Sequence, residues 1–466
     1  MPKRAEQERQ EIKTKIIKVL DNKGVPSRHS PVIELLYDIV VPQLVYNFYN
    51  NNINSSSVSF QQFITLDNIA DTLNNPILID NISSFYEVLL KREIYWKQKV
   101  GEGFEYLGDL HDVVTKIKKG NNILYENILN SESYFEEIAH SIVPIFKDLI
   151  PEFSYDKEII SRKYIKYTDQ NYDAPLYHYN FGLLLAFAFF FRMTDLHMEN
   201  VVLNNNITKL FDFEFAYSPD YDHIDFGIMP TNLISYKAED NISALLGGFF
   251  YINSYMKPIL MLDDQALPEI IWKTKSNRTI HNIPSETTRK GAHPKIYVED
   301  LLKVFWEGTK ALREKKKDII NLTSISNFKV RQLVRPTRQY RYLIISYAYP
   351  QYHNKMALAS CYDTALKGEP WKDFFNPIGT QLKDLEIKDC ESLMIPYFYS
   401  EIRKKEVFHS SGTAIGKLNE TPIESFLNHI DDNNYDRFLK RHITNTKRIL
   451  TISYKKYKEM YTTNTK

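Results

Sequence analysis

The chain has few cysteines and no long apolar run. Cys361 and Cys390 are the two cysteines in 466 residues, which excludes a disulfide framework and a cysteine-rich metal site. The longest apolar run, 181–191, is about half of the roughly 20 residues that a membrane-spanning helix needs, so it predicts a buried core helix. The N-terminus is charged and lacks the apolar segment of a signal peptide. These absences predict a cytoplasmic protein with no membrane span.

Neither sign of charge is in excess, and glycine is scarce. The chain has 59 Lys and Arg against 58 Asp and Glu, so its composition indicates neither nucleic acid nor an anionic membrane as a main partner. It contains 15 Gly but 32 Tyr and 27 Phe. This balance argues against a glycine-loop-rich Rossmann enzyme and favours a mostly helical chain with aromatic packing. We expect one elaborated domain rather than several independent ones.

Hydrophobic periodicity gives a coarse order of elements. Apolar residues recur at helical spacing in 31–49 and 82–100, so the first hundred residues are predicted to be helical. Two short apolar runs around the turn 118–122 predict a β-hairpin. The later pattern predicts helices at 131–149 and 297–317, a strand at 210–215 and a largely helical chain beyond Tyr340.

The segment with the clearest chemistry is 194–200, which follows the predicted buried helix. Asp195 and Asn200 lie five residues apart, and Asp212 follows on the predicted strand. Protein kinases use this layout for an Asp-x4-Asn catalytic loop and a metal-binding Asp, and Mg²⁺ prefers such oxygen ligands. Each residue alone is equally typical of an ordinary loop, and His197 of a satisfied loop histidine. Together, at this spacing, they favour phosphotransfer.

These motifs resemble the dehydratase region of class II lanthipeptide synthetases. In that family Asp-x-His-x-x-Asn precedes an Asp-x-Glu strand, as in 194–200 and 211–214 here. Three further segments follow the family's pattern and order: Gly-Asp-Leu-His at 108–111, Arg-Gln-Leu-Val-Arg-Pro-Thr at 331–337 with Tyr340, and Ile-Pro-Tyr-Phe at 395–398. The resemblance therefore covers residues from about 110 to 400.

The resemblance implies an α+β fold with a protein- or lipid-kinase-like bilobal core and extra helical segments. We expect four regions along the chain: a helical cap at 1–100, a small and degenerate kinase-like N-lobe at 101–180, a C-lobe with the catalytic and elimination elements at 181–345, and a C-terminal helical region at 346–466.

The resemblance also implies a peptide Ser/Thr dehydratase that acts on a ribosomally made precursor peptide. ATP would first phosphorylate the hydroxyl, and phosphate would then be eliminated to leave a dehydroamino acid. An arginine fork suits a phosphate leaving group, and His111 suits a proton carrier near neutral pH. The resemblance assigns Asp195 and His197 to the catalytic loop. It assigns Asn200, Asp212 and Glu214 to the ATP and Mg²⁺ site, with Asn200 and Asp212 as the metal ligands. The residues that it assigns to elimination are Arg331, Thr337, Asp109 and His111.

One position departs from the family. Glu126 stands where the family has a lysine that contacts the ATP phosphates, and a carboxylate facing triphosphate would repel it. Lys118, Lys119 and Lys163 are candidates to compensate. The departure favours an alternative, a pseudokinase-like module that binds a peptide or partner. A phosphotransferase without elimination is a third possibility, against which the pair Arg331 and Thr337 argues.

Other features have ordinary explanations as well. The basic residues of the 331–341 segment, namely Arg331, Arg335, Arg338 and Arg341, are also typical of a solvated basic face or, with Tyr340, of an RNA-binding stripe. Asp109 and His111 alone are typical of a turn. No Cys follows Cys390, and the later histidines are scattered, so we expect a separate cyclase or second modifying enzyme to close any thioether ring.

Overall fold

The computed structural model describes residues 2–22, 36–37, 40–41, 44, 65–74, 76–107, 116–126, 129, 131–156, 158–166, 168, 173–194, 196, 200–211, 213–218, 233, 254–262, 268–276, 295–332, 334–335, 340, 343–344, 375–377 and 381–463. Within these ranges the protein is a mixture of helices and antiparallel strands. No helix there combines the length and the apolar character needed to cross a membrane.

The described helices are α1 Pro2–Asn22, α2 Leu66–Thr72, α3 Pro76–Val100, α4 Glu132–Glu137, α5 Ala174–Phe190, α6 Lys295–Glu314, α7 Lys316–Ile325, α8 Gln381–Glu391, α9 Pro422–His429 and α10 Asp432–Thr463. The described strands are β1 Glu105–Leu107, β2 Lys116–Lys119, β3 Asn122–Glu126, β4 Phe153–Asp156, β5 Ile159–Lys163, β6 Val201–Asn204, β7 Ile207–Leu210, β8 Ser254–Leu262, β9 Pro268–Ser276, β10 Lys329–Arg331, β11 Phe375–Pro377, β12 Phe398–Glu401, β13 Glu406–His409 and β14 Ala414–Leu418.

The first sheet has five antiparallel strands in the order β1-β2-β3-β5-β4. The predicted hairpin is its β2–β3 pair, whose turn contains Gly120 at a φ of +58°, a value that suits glycine. Helix α4 lies in sequence between β3 and β4. Because side chains alternate along a strand, the sheet presents one face with Ile123 and Ile160 and another with Ile117 and Leu124.

A large aromatic core surrounds α5, the predicted buried helix. Asp173 caps its N-terminus by accepting a hydrogen bond from the Leu176 N–H at 3.0 Å, and its side chains from Phe181 to Phe190 are all buried. Helix α6 packs very closely against it. A Cβ added at Gly182 would lie 2.6 Å from the Leu301 carbonyl oxygen, so only glycine fits there.

A second core covers the opposite face of the first sheet. Buried residues of α1, α2 and α3, including Ile16, Ile69 and Trp96, belong to the same cluster as Ile117 of β2 and Ile159 of β5. The prediction that the first hundred residues are helical is confirmed for the described ranges. The four-region division remains a prediction.

One expectation about secondary structure is wrong, and another is incomplete. The strand predicted at 210–215 ends at Leu210 and continues as turns, because the backbone at 215–218 bonds to 191–194 rather than to a neighbouring strand. Beyond Tyr340 the described residues include helices α8, α9 and α10, as predicted, but also strands that the sequence did not indicate. Strands β11 to β14 join β10 in a second five-stranded sheet of order β10-β12-β13-β14-β11, in which β12 and β13 bury every second side chain.

The helix predicted at 131–149 is shorter than expected. Regular α-helix ends at Glu137 and is followed by a π-helical turn at 138–142 and a 3₁₀ turn at 144–146. Pro144 lacks the N–H that a continuing helix needs. The helix expected at 297–317 is confirmed as α6 and the start of α7.

Three buried histidines belong to the aromatic core. Burial lowers the pKa of His178 to about 4, although its Nδ1–H donates to the Ala174 carbonyl at 2.7 Å. Burial also lowers the pKa of His442 to about 4 and that of His429 well below its ordinary value. The rings of His429 and His442 both lie 5.2 Å from that of Phe189 in α5. All three are therefore uncharged at neutral pH.

We expect the protein to lose stability in acid through these histidines. Each has a folded-state pKa below its unfolded value of 6.5, so the unfolded chain binds more protons and stability falls as pH drops from 6.5 towards 4. For His178 and His442 the loss is about 3 kcal/mol each over that window. Urea unfolding between pH 8 and pH 4.5 measures it.

In His178→Gln and in His442→Gln, the unfolding free energy should fall less between pH 8 and pH 4.5 than it does in the wild type. Each variant is compared with its own value at pH 8, so that any general loss of stability cancels. An equally steep dependence in the variants and the wild type would contradict the assignment.

Candidate active site

The segment before the candidate catalytic loop is tied to residues 215–218 by backbone hydrogen bonds. Tyr217 donates to the Phe191 carbonyl at 2.9 Å, and Ser218 donates to that of Arg192 at 3.1 Å. Thr194 donates to the Phe215 carbonyl at 3.1 Å. The two neighbours of Asp195 in sequence, Thr194 and Leu196, are buried. The start of the loop is therefore held beside the turns that follow residue 212.

Arg192 adds side-chain bonds to the same junction. Its backbone has a φ of +51°, which is uncommon for a residue other than glycine. The guanidinium is fully buried and donates from Nε to the Ser218 carbonyl at 3.1 Å and from Nη1 to the Ser425 carbonyl at 3.0 Å. Arg192 thus links the loop to the C-terminal part of the chain.

The far end of the loop contacts the residue before Asp212. Asn200 precedes β6, and its carbonyl accepts a hydrogen bond from the Phe211 N–H at 3.3 Å. Hairpin β6–β7 lies between the two in sequence and brings them together. Asn200, one predicted magnesium ligand, therefore lies beside Phe211, the residue that immediately precedes Asp212, the other predicted ligand.

Two predicted site residues, 117 positions apart in sequence, form a buried ion pair. Nη1 of Arg331 lies 2.5 Å from Oε1 of Glu214, and the Arg331 N–H donates to the Glu214 carbonyl at 2.7 Å. Side-chain exposures are 9% and 11%, so little water screens the pair. Glu214 therefore neutralises and orients the guanidinium.

Aromatic rings complete this cluster, which we call the Glu214–Arg331 cluster and which also includes Phe215 and Tyr397. The guanidinium carbon of Arg331 lies 4.8 Å from the centre of the Phe215 ring and 4.7 Å from that of Tyr397. The Tyr397 hydroxyl donates to Oε2 of Glu214 at 3.4 Å. Three of the sequence motifs thus meet here: the Asp-x-Glu segment, the arginine segment and Ile-Pro-Tyr-Phe.

The second arginine of the 331–337 segment has a structural partner. Arg335 donates from Nε to Oε1 of Glu386 at 2.7 Å and from Nη2 to Oε2 at 3.3 Å, and Tyr340 donates to Oε1 at 2.6 Å. All three side chains are buried. The alternative of a solvated basic face or RNA-binding stripe is therefore wrong for Arg331, Arg335 and Tyr340.

Glu126 also has a partner that its sequence position did not reveal. Arg92 of α3 donates from Nη1 to both carboxylate oxygens of Glu126, at 2.8 and 2.9 Å, with both side chains largely buried. Glu126 lies on the sheet face covered by the helices of the second core, since Leu124 on the same face packs there and Tyr125 does not. Its charge is thus neutralised within the protein.

The described residues include three of the predicted site residues, Asn200, Glu214 and Arg331. The others lie outside the described residues: Asp109, His111, Asp195, His197, Asp212 and Thr337. Where the structure describes the chain, no group of three or more His, Cys, Asp or Glu side chains could hold a metal. The predicted ligands, an amide and a carboxylate, still have the oxygen chemistry that Mg²⁺ prefers.

Sequence reasoning missed four residues that complete these contacts: Phe215, Tyr397, Glu386 and Arg92. Tyr397 lay within a segment already identified, so its motif was the one available signal. Phe215 directly follows the Asp-x-Glu residues of 212–214. Glu386 and Arg92 carry no local pattern, because an ion-pair partner from a distant part of the chain leaves no periodic trace.

The comparisons with known proteins define the family. Residues 163–401, about half of the chain, match the family model described as a domain of unknown function, DUF4135, and the chain belongs to this family. The match begins in β5 and extends through the Glu214–Arg331 cluster to the end of β12.

Among individual proteins, the chain is similar to the lacticin 481/lactococcin biosynthesis protein LcnDR2 of Lactococcus lactis subsp. lactis. The two are 21% identical over 434 residues, an alignment that covers 83% of this chain and 46% of that relative. This chain thus spans about half the length of the curated relative. The family and this relative confirm the resemblance that the motifs indicated.

The Glu214–Arg331 pair makes a prediction for stability. Arg331→Met or Glu214→Gln alone should cost about 3–5 kcal/mol of unfolding free energy, because each leaves a buried partner uncompensated. The double variant should cost less than the sum of the singles. Urea unfolding of the four proteins measures this coupling. Lys417→Met, which breaks an exposed contact with Glu406, serves as the control with a small expected effect. Additive losses would contradict the pairing.

Restoring the family's lysine should harm this protein. Glu126→Lys removes the partner of Arg92 and places a like charge beside it, so we expect a loss of about 3–5 kcal/mol in unfolding free energy. Glu158→Lys tests the same charge change in the exposed contact of Glu158 with Lys99, where the effect should be much smaller. Equal unfolding free energies of Glu126→Lys and wild type in urea would show that the buried charge of Arg92 does not need Glu126 as its partner.

Proposed function

We propose that this chain dehydrates Ser and Thr residues of a ribosomally made precursor peptide in two steps, ATP-dependent phosphorylation and phosphate elimination. The observation that carries the proposal is the Glu214–Arg331 cluster. It joins the segment assigned to nucleotide binding to the segment assigned to elimination through one buried ion pair. Membership of the family and similarity to a lacticin 481/lactococcin biosynthesis protein support peptide modification as the context.

In the first step the substrate hydroxyl oxygen bonds to the γ-phosphorus of ATP while the bond from that phosphorus to the β-phosphate oxygen breaks. Asp195 orients the hydroxyl and accepts its proton, and His197 shapes the loop. Asn200 and Asp212 would hold Mg²⁺, which would neutralise phosphate charge. The hydrogen bond between Asn200 and Phe211 supports this pairing of ligands.

In the second step a base removes the α-proton, a carbon–carbon double bond forms, and the bond from the β-carbon to oxygen breaks as phosphate leaves with the electron pair. Asp109 and His111 handle the proton. Arg331 and Thr337 stabilise the departing phosphate, for which a planar guanidinium is well suited. The rings of Phe215 and Tyr397, at 4.8 and 4.7 Å from the guanidinium carbon, support the guanidinium in its position.

A protein-kinase-like core is part of this proposal. Three features support it: the first five-stranded antiparallel sheet, helix α4 between β3 and β4 in sequence, and the buried helix α5 followed by a loop and hairpin β6–β7. ATP and Mg²⁺ are the proposed cofactors, and a precursor peptide is the proposed substrate.

A second candidate function is the pseudokinase-like binding module. Glu126 in place of lysine favours it. The ion pair with Arg92 weakens the argument, because the carboxylate that was expected to repel triphosphate is neutralised on the covered face of the sheet.

The deciding experiment is mass spectrometry of a candidate precursor peptide, rich in Ser, Thr and Cys, co-expressed with the wild-type chain. We expect loss of one water per modified residue. Asp212→Asn should leave the peptide unmodified, because the proposed metal ligand is lost. Thr337→Ala should leave phosphorylated peptide, because elimination slows while phosphorylation continues.

Each other result favours a different function. Added phosphate without water loss in the wild type would sink the elimination step and favour a simple phosphotransferase. An unmodified peptide that co-purifies with the wild-type chain would favour the binding module. Equal dehydration by wild type and Asp212→Asn would remove Asp212 from the site.

A further inference from the structure

The face of the first sheet that packs against the aromatic core around α5 carries positively charged side chains. In the β2–β3 register Lys118 lies opposite Ile123, and in the β3–β5 register Ile123 lies opposite Arg162. Directly opposed residues of antiparallel strands share a face. Lys118, Ile123 and Arg162 therefore form a row on the face that includes the buried Tyr125 and Ile160. Lys116, opposite Tyr125, lies on the same face, and Glu105 of β1 ends the row opposite Lys118.

This face contacts Phe211, which lies between the two predicted magnesium ligands in sequence. The guanidinium carbon of Arg162 lies 4.2 Å from the centre of the Phe211 ring. Phe211 precedes Asp212 in sequence and donates its N–H to the Asn200 carbonyl. One side chain of the sheet thus reaches the residue that links both predicted magnesium ligands. Nearby, the rings of Phe153 in β4 and Phe213 lie 6.1 Å apart, so sheet and loop pack directly together.

The next row, on the opposite face, also contains two cationic side chains. Lys119, Asn122 and Lys163 are opposed to one another across the same three strands. This is the face that the second core covers through Ile117 and Ile159, and Lys163 is exposed. Glu126 also lies on this face, with Arg92. Lys118 with Arg162 and Lys119 with Lys163 thus form two pairs of cations from the same two strands, and the pair with Lys118 is on the face from which Arg162 contacts Phe211.

We propose that Lys118 and Arg162 bind the phosphate groups of the nucleotide and replace the lysine whose position Glu126 occupies. This inference rests on the proposed use of ATP. Arginine suits the role because its planar fork can donate two hydrogen bonds to phosphate oxygens, while lysine acts as a point charge. The Lys118 ammonium lies 4.8 Å from the centre of the Tyr164 ring, and Tyr164 directly follows β5, the strand that contains Arg162.

The test is calorimetric titration of the full chain with a non-hydrolysable ATP analogue and Mg²⁺, and separately with adenosine. The double variant Lys118→Met/Arg162→Met should bind the analogue about 10- to 100-fold more weakly, the loss expected for charge-assisted hydrogen bonds, and adenosine as tightly as the wild type. The matched control Lys119→Met/Lys163→Met makes the same charge change on the other face and should bind both ligands normally.

Three outcomes would overturn the inference. Equal weakening in the two double variants would mean that overall charge matters and not the face. Equal weakening for adenosine and the analogue would mean that Arg162 supports the fold of the site. Unchanged binding of the analogue would remove both residues while leaving the proposed function intact. A wild-type chain that binds no nucleotide would instead sink the proposed function together with this inference.

A conservative variant keeps the test decisive if the double variant fails to fold. Arg162→Lys retains the positive charge but loses the planar fork. We expect it to unfold at the wild-type temperature and to bind the analogue several-fold more weakly, with adenosine unaffected. Wild-type affinity for the analogue in this variant would count against a phosphate contact by Arg162.

Discussion

The packing of helix α5 is the constraint on which the rest of the described structure depends. Its side chains are buried on every side from Phe181 to Phe190, and Gly182 lets the backbone of α6 approach to a distance that no side chain would permit. A helix enclosed in this way cannot shift without opening the aromatic core around it. The segment that leaves its C-terminus, 191–194, therefore starts from a fixed position and is tied to 215–218 by backbone hydrogen bonds.

Buried charges then connect parts of the chain that are remote in sequence. Glu214 with Arg331, Glu386 with Arg335 and Glu126 with Arg92 each join different elements. Pairs of this kind add little net stability compared with apolar contacts, but a partner left alone is costly. Their effect is to specify one arrangement of the segments. In the Glu214–Arg331 cluster that arrangement places a guanidinium beside a carboxylate and two aromatic rings.

The first sheet divides its charged side chains between two environments. The face towards α3 holds Glu126 with its partner Arg92, whereas the face towards Phe211 presents Lys118 and Arg162. A shift of one residue in the β2–β3 register would turn Lys118 to the other face, and such a shift of β5 against β3 would do the same to Arg162. The apolar residues between them, such as Ile117 and Ile123, determine the register because each must reach its own core. Hydrophobic packing thus decides which charges face the proposed nucleotide site.

The sequence by itself determined the buried helix, the β2–β3 hairpin, the helical N-terminal segments and the motifs that define the family, because each is a local pattern of periodicity or spacing. It misplaced the strand at 210–215 and overlooked the second sheet. Short strands such as β12 have half-buried, period-two patterns that are weak signals in a few residues.

Only the tertiary structure decided the partners of Arg331, Arg335 and Glu126, because an ion pair between distant segments follows from how the cores pack. The strand register also depends on tertiary structure, because it follows from burial on both faces of the sheet. It determines which side chains share the face that contacts Phe211.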